Sequence, residues 1–343
     1  MPVINAAQLQ TVLKSMVPAR LPLLITGMPG CGKSDIVESV SASLSYDLLI
    51  EHPAVCDPTD YKGLPWGMAS GTATFLPFGN LATALNATRQ TVWFFDDLGQ
   101  ASPAVQAACM QLFLARQING KVLPDCITFI GATNRRIDRA GVSGILEPVK
   151  SRFVSIVELE PDIGSWSQWA FSNGIPATLI AFLRFRPELL AKFEATADLT
   201  NSPVPRTWAH LAKLEALNLP ADIEAIAMAG AVGEGASLEY LTFRSMVKSL
   251  VNLDAILMNP DKAAIPTKPS ELYAVSVGLA ARANETNFAR IATYANRMVT
   301  EAGRGEFAVL MVRDAIRRDE KIQYTDSFVR MNSGEFGQLI SGR

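Results

Sequence analysis

Gly27-Met28-Pro29-Gly30-Cys31-Gly32-Lys33-Ser34 fits the pattern G-x-x-x-x-G-K-[ST], and its surroundings supply the strand-loop-helix setting the pattern needs. The apolar run Leu21 to Thr26 reads as a buried strand. Lys33 to Leu44, with Ile36, Val37 and Val40 apolar, reads as the following helix. Pro29 and the glycines deny the loop regular structure. Glycines let the backbone curl around oxyanions, so that loop amides and the helix N-terminus point at phosphate. In such a loop Lys33 reaches the β- and γ-phosphates of a nucleoside triphosphate and Ser34 holds Mg²⁺. Gly27 to Ser34, with Asp35 opening the helix, are the expected nucleotide-binding residues.

A phosphate loop needs an acidic partner at the end of a second strand. Thr91 to Phe95 is such a strand and runs into Asp96-Asp97. Asp96 would assist Mg²⁺ through water, beside Ser34. Asp97 would orient or deprotonate the attacking water, because phosphoryl transfer depends on positioning and charge. On their own the two acids would read as caps near the helix Ala104 to Ala115, which opens on Ser102-Pro103. Cys126 to Gly131 is a further strand, followed by Asn134. A short amide there can hold the water beside the γ-phosphate; a plain turn asparagine is the alternative. With Asp47 to Ile50 and a strand within Arg152 to Glu158, residues 1–160 alternate strand and helix as a parallel α/β sheet does.

Beyond Pro161 the strand signals fade. Trp166 to Asn173, Pro176 to Phe185, Thr207 to Leu217, Ala221 to Ala231 and Leu238 to Met258 suit helices. After a break at Asn259 to Ser270, so do Glu271 to Asn284, Phe288 to Glu301 and Glu306 to Ala315, while Asp326 to Arg343 reads as less regular.

Composition excludes several classes. The 343 residues are 49% hydrophobic, enough for more than one core. Lys and Arg number 31 against 33 Asp and Glu, so no global basic signal points to nucleic acid. Cys31, Cys56, Cys109 and Cys126 lack C-x-x-C spacing, and the histidines are His52 and His210, so no structural zinc is expected. The N-terminus has no signal-peptide core, and the apolar runs stop short of a spanning length. A soluble, cytoplasmic protein without membrane insertion is expected.

Taken in order, four segments resemble the AAA+ ATPases, and more closely their MoxR-like, dynein-related branch. They are Gly27 to Ser34; Asp57-Pro58-Thr59-Asp60-Tyr61-Lys62-Gly63-Leu64-Pro65; Phe94 to Val105 with Gln106; and Gly131-Ala132-Thr133-Asn134 followed by Ser151-Arg152-Phe153. A fifth, Ser202-Pro203-Val204-Pro205-Arg206-Thr207-Trp208, resembles the segment that opens a lid helix and carries the sensor-2 arginine. The resemblance implies a five-stranded parallel sheet in the order 5-1-4-3-2, an all-α lid and, here, extra C-terminal helices. The corresponding domains are 1–160, 161–258 and 259–343. It implies ATP with Mg²⁺, the metal lying at Ser34 and Asp96. Asn134 becomes sensor 1, Arg152 the finger that reaches the ATP of a neighbouring subunit, and Arg206 the sensor-2 arginine of its own subunit. A guanidinium there neutralises charge developing on the γ-phosphoryl. Arg135, Arg136 and Arg139 are alternative fingers. Asp97 stands where this family usually has Glu, and Ser151 where Asp is common.

A finger acting in trans implies a homo-oligomeric ring, hexameric in the family, built on heterologous interfaces. Asp57 to Phe78, with Tyr61, Trp66, Phe75 and Phe78, and Arg116 to Asp125, with Lys121, correspond to loops that contact substrate in the family. Their charges are mixed: Lys62, Arg116 and Lys121 against Asp57, Asp60 and Asp125. MoxR-like proteins remodel, activate or help to assemble protein partners, often with a partner bearing a von Willebrand A domain, and that is the expected role. A motor or loader acting on nucleic acid and an ATP-gated structural subunit with weak hydrolysis are the other readings. Arg282, Arg290, Arg297, Arg304, Arg313, Arg317 and Arg318 give the C-terminal helices local positive charge.

Overall fold

The computed structural model describes residues 1–138, 141, 144–196, 198–250, 252–333, 336, 337 and 339. The chain forms two units, Met1–Asp162 with Phe193–Ala197, and Ile163–Lys192 with Asp198–Arg343.

The first unit contains ten strands among the described residues: β1 Val3–Ile4, β2 Leu23–Gly27, β3 Asp47–Glu51, β4 Leu64–Gly67, β5 Ala73–Leu76, β6 Thr91–Phe95, β7 Gln117–Ile118, β8 Lys121–Val122, β9 Ile127–Asn134 and β10 Ser155–Leu159. Six form a parallel sheet in the order β1-β10-β2-β9-β6-β3. The segment from β10 to β3 reproduces the expected order 5-1-4-3-2. The sheet has a sixth strand, however, because β1 pairs with β10 through Val3 to Glu158 and Ile4 to Leu159. Two residues are too few to carry a period in the sequence. Every residue of β2 and β6 is buried, so both sheet faces are covered there, which explains runs that are apolar throughout rather than alternating.

β9 continues past Gly131, where the sequence pattern ends it, because Gly131 to Asn134 pair with Leu24 to Gly27 of β2. That register sets Asn134 beside Gly27, the first residue of the phosphate loop. Under the sheet lie Trp93, Phe95, Phe113, Phe129 and Phe153. Phe95 meets Phe113 edge-on at 4.8 Å and Phe113 meets Phe153 at 5.4 Å. Gly131 makes room for this layer, since a Cβ there would lie 2.9 Å from Phe153 Cζ. The acidic pair after β6 thus stands on a close-packed aromatic floor.

Two antiparallel hairpins leave this unit, β4–β5 and β7–β8. The second turns at Asn119 and Gly120, with φ 47° and 77°, the two-residue turn that Asn-Gly favours.

The second unit is helical. Trp208, packed among Phe182, Tyr240 and Leu211, belongs to one core; Phe288, Tyr294, Met311 and Ile322 belong to another, and Tyr273 lies against both. The helix Ala177–Phe185 carries Arg184, which forms a buried ion pair with Asp314 on the helix Gly305–Arg318 and gives Nε to Ser167 Oγ at 3.1 Å. The helix expected over Leu238 to Met258 is two, Glu234–Leu250 and Leu253–Met258. Asn252 accounts for the second start, its side chain accepting from Ala255 N at 2.9 Å. Asp326–Asn332, expected to be irregular, is helical. Among the described residues no helix is long and apolar enough to cross a membrane.

Candidate active site

The phosphate loop grows from the end of β2. Gly27 must be glycine: a Cβ there would lie 2.8 Å from Leu159 O and 3.0 Å from Cys31 Sγ. Gly30 and Gly32 take φ of 75° and 98°, the left-handed region in which only glycine is free of strain. Gly32 caps the helix Lys33–Ser43 and has no side-chain cap. The first amides of a helix have no intrahelical acceptor. Those at Lys33, Ser34 and Asp35 therefore face outward with the positive end of the helix dipole, a ready anion site. Burial pushes the Cys31 thiol up from its ordinary value, against the pull of the Lys33 charge, so the loop holds a neutral thiol.

Lys33 is buried, and its ammonium spends its hydrogens on Gly27 O at 3.0 Å, Met28 O at 3.1 Å and Asn134 Oδ1 at 2.8 Å. The Asn134 amide nitrogen donates to Asp97 Oδ1 at 3.1 Å. Ser34 Oγ donates to Asp96 Oδ2 at 2.5 Å. Asp96 is fixed from behind, its N–H donating to Glu51 O at 2.8 Å and its Oδ1 accepting from Asp97 N at 3.0 Å. Residues from the ends of β2, β6 and β9, separated by up to 107 positions between Gly27 and Asn134, thus form one hydrogen-bonded constellation. Asp97 itself sits at φ 56° and ψ 31°, left-handed, a conformation that Asp tolerates better than most residues.

The donors fit a nucleotide with Mg²⁺. The uncapped helix start and the glycine loop offer N–H groups to phosphate oxygens. Ser34 and Asp96 offer a hydroxyl and a carboxylate, hard oxygen ligands of the kind Mg²⁺ takes together with waters and phosphate. Among the described residues there is no group of three or more His, Cys, Asp or Glu that could hold a metal ion.

The expected arginines belong to other elements of the chain. Arg152 follows the short helix Glu147–Lys150; its Nη1 donates to Ser151 Oγ at 2.8 Å, and its Nε is buried without a partner among the described residues. Within the described residues it is not bonded to the Lys33–Asp97 cluster. Arg206 belongs to the second unit, exposed on the first turn of the helix Pro205–Glu215. That helix start is pinned by Thr207 Oγ1, which accepts from Val204 N at 2.9 Å and donates to Ser202 O at 2.8 Å. Arg136 is exposed, and Arg139 lies outside the described residues.

Arg135 is committed within its own unit, donating to Asp138 Oδ2 and Oδ1 at 2.8 Å each and to Glu158 Oε1 at 3.2 Å. The bonds to Asp138 raise its pKa further above the ordinary arginine value. Of the aromatics expected on the contact loops, Tyr61 is wholly buried and stacks on Phe95 at 6.0 Å, so it belongs to the core. Trp66, Phe75 and Phe78 are exposed. Asp57 and Asp60 cap the helix Pro58–Lys62, and Asn119 Nδ2 donates to Lys62 O at 2.5 Å, joining the two candidate segments.

No protein-family model and no curated protein matches the chain. Among solved structures, a point mutant of Thermotoga maritima RuvB is 16% identical over 80% of this chain and 83% of that one, with a TM-score of 0.42. The Thermotoga maritima RuvB Holliday junction branch migration motor is 17% identical over 80% of each chain, at 0.40. NtrX from Brucella abortus in complex with ATP is 15% identical over 92% of this chain and 67% of that one, at 0.40. Similarity of this extent fixes neither activity nor partner, which rest on the site itself.

Proposed function

We propose that the chain is an Mg²⁺-dependent ATPase of the AAA+ type, most like the MoxR branch, working in the cytoplasm as a homo-oligomeric, hexameric ring that remodels, activates or helps to assemble a protein partner. The observation that carries the ATPase reading is the joined network Lys33–Asn134–Asp97 beside Ser34–Asp96. Loop amides and Lys33 hold the β- and γ-phosphates. Ser34 and Asp96 hold Mg²⁺, which supplies charge neutralisation on the phosphate oxygens when bound. Asp97 accepts the proton of the attacking water, and Asn134 keeps that carboxylate and the water in register with Lys33. In this reading residues 1–160 are the nucleotide-binding domain, 161–258 the lid and 259–343 an additional helical region. Arg206 contributes from the lid and Arg152 from the neighbouring subunit.

Two observations favour a protein partner over nucleic acid. The large exposed side chains of the β4–β5 hairpin and its C-terminal flank are apolar, Leu64, Trp66, Met68, Phe75 and Phe78 among them, beside the small polar Ser70 and Thr72 at its turn. Several C-terminal arginines are taken up internally: Arg282 by Asp254, Arg297 by Glu301 and two carbonyls, Arg304 by Thr267 O. A partner with a von Willebrand A domain is the first to test for ATP-dependent capture.

Subunit mixing tests the composite site. Lys33→Ala and Arg152→Ala proteins are each expected to be inactive. Mixed, they form interfaces with an intact loop on one side and an intact finger on the other, and turnover returns. Mixtures as inactive as their parents would contradict a finger acting in trans.

A further inference from the structure

Asn134 and Arg135 are consecutive, yet they serve different partners. Asn134 meets Lys33 and Asp97, whereas Arg135 grips Asp138 with two parallel bonds and reaches Glu158 with a third. Glu158 is in β10, Arg135 directly follows β9, and β2 lies between those strands. Neighbouring strands are about 4.8 Å apart, so this link spans the width of β2. It does so where β2 ends: Glu158 pairs with Thr26, while Leu159 and Asn134 both pair with Gly27. The bridge therefore lies at the root of the phosphate loop, one residue from the amide that joins Lys33 to Asp97.

We propose that Arg135, with Asp138 and Glu158, is a clamp that positions Asn134 and the root of the phosphate loop for the γ-phosphate. The proposal rests on the ATPase reading of the site. Arg135 acts through Asn134 and is a positioning residue. A planar guanidinium bonded bidentately fixes direction as well as distance, which a lysine cannot do. The Asp138 side chain is 5% exposed, so removing Arg135 leaves a buried carboxyl group without its bidentate partner. With the clamp gone, the turn Arg136–Asp138 no longer ties the end of β9 to β10, and the Asn134 amide is free to drift. A drift of about 1 Å is enough to cost on the order of 10²-fold in rate.

The test uses the full chain with Arg135→Ala, Arg135→Lys, Arg135→Ala/Asp138→Ala and, as a surface control, Arg89→Ala, whose guanidinium pairs with Asp47 on the exterior. For Arg135→Ala, kcat for MgATP falls by about 30- to 100-fold. The Kd for ADP stays within about threefold, while that for ATPγS rises about tenfold, because only the γ-phosphate feels Asn134. Arg135→Lys recovers part of the loss. The double variant, which removes the orphaned carboxylate, regains thermal stability but not kcat. Arg89→Ala changes nothing. Unchanged kcat and an unchanged ADP-to-ATPγS ratio in Arg135→Ala would overturn the clamp. So would recovery of kcat together with stability in the double variant, which would make the role purely structural. Turnover of the wild type against Lys33→Ala decides the parent reading separately, so failure of the clamp and failure of the ATPase assignment give different results.

Discussion

Asp97 offers a way to separate backbone strain from chemistry. It is held at φ 56° and ψ 31°, with its carboxylate 3.1 Å from the Asn134 amide nitrogen. Asp97→Asn keeps the side-chain length, the tolerance for left-handed backbone and an oxygen for Asn134, and removes only the proton acceptor and its charge. The unit is expected to keep its stability to within about 0.5 kcal/mol, while kcat for MgATP falls by about 10²- to 10⁴-fold. Asp97→Glu keeps the carboxylate but gives up the short side chain that this conformation favours, at about 1 kcal/mol. For a unit of this size that is about 2–4 °C in Tm. The added methylene also carries the carboxylate about 1.5 Å beyond its present place. Because a misplacement of about 1 Å can cost up to 10²-fold, turnover is expected to fall about tenfold, although Glu is the residue usual in the family this chain resembles. Steady-state phosphate release at saturating MgATP, with thermal denaturation of the same samples, reads both effects. A Glu variant that is as stable as the wild type and faster, or an Asn variant with full kcat, would refute the reasoning.

Two further predictions concern the helical unit. Arg184→Met strands the buried Asp314 and is expected to cost about 3–5 kcal/mol in urea denaturation, while Arg184→Met/Asp314→Leu costs less; equal losses would show that the two side chains are not coupled. Arg244, bonded to Glu224 at 2.8 and 2.5 Å, holds the Glu224 carboxyl below its usual value of 4.5. A carboxyl depressed in the folded state adds stability that is complete above the unfolded value and disappears as the pH falls through the folded one. Glu224→Gln is therefore expected to lower stability by roughly 1.5–3 kcal/mol at pH 7, with the difference shrinking below pH 4.5. A gap constant from neutral to acid pH would contradict the pairing.

The chemistry-bearing part of the first unit is legible because it is local. Gly27 to Ser34 is a contiguous pattern, and Asp96, Asp97 and Asn134 each stand at the end of an apolar run, which in a parallel sheet brings them to one edge. What stays hidden depends on distant partners. β1 has two residues and no period, and its pairing with β10 is set some 155 positions away. Arg135 reads as one of several arginines in a basic cluster; nothing local says that its guanidinium turns toward Glu158, 23 positions on and across β2. Residue type groups Tyr61 with Trp66 and Phe75, but the helix Pro58–Lys62 turns it inward onto Phe95 while the hairpin leaves the others outside.

The central claim is that one constellation, Lys33 and Ser34 with Asp96, Asp97 and Asn134, hydrolyses ATP. The measurement that tests it most directly is phosphate release from ATP by the purified full chain, with and without Mg²⁺, beside the Lys33→Ala protein in the same assay. The wild type should turn over only with Mg²⁺, and Lys33→Ala, which removes the cation bonded to Gly27 O, Met28 O and Asn134 Oδ1, should lose at least about 10²-fold of that rate. Equal turnover by the two proteins, or a wild-type rate indifferent to Mg²⁺, would contradict it.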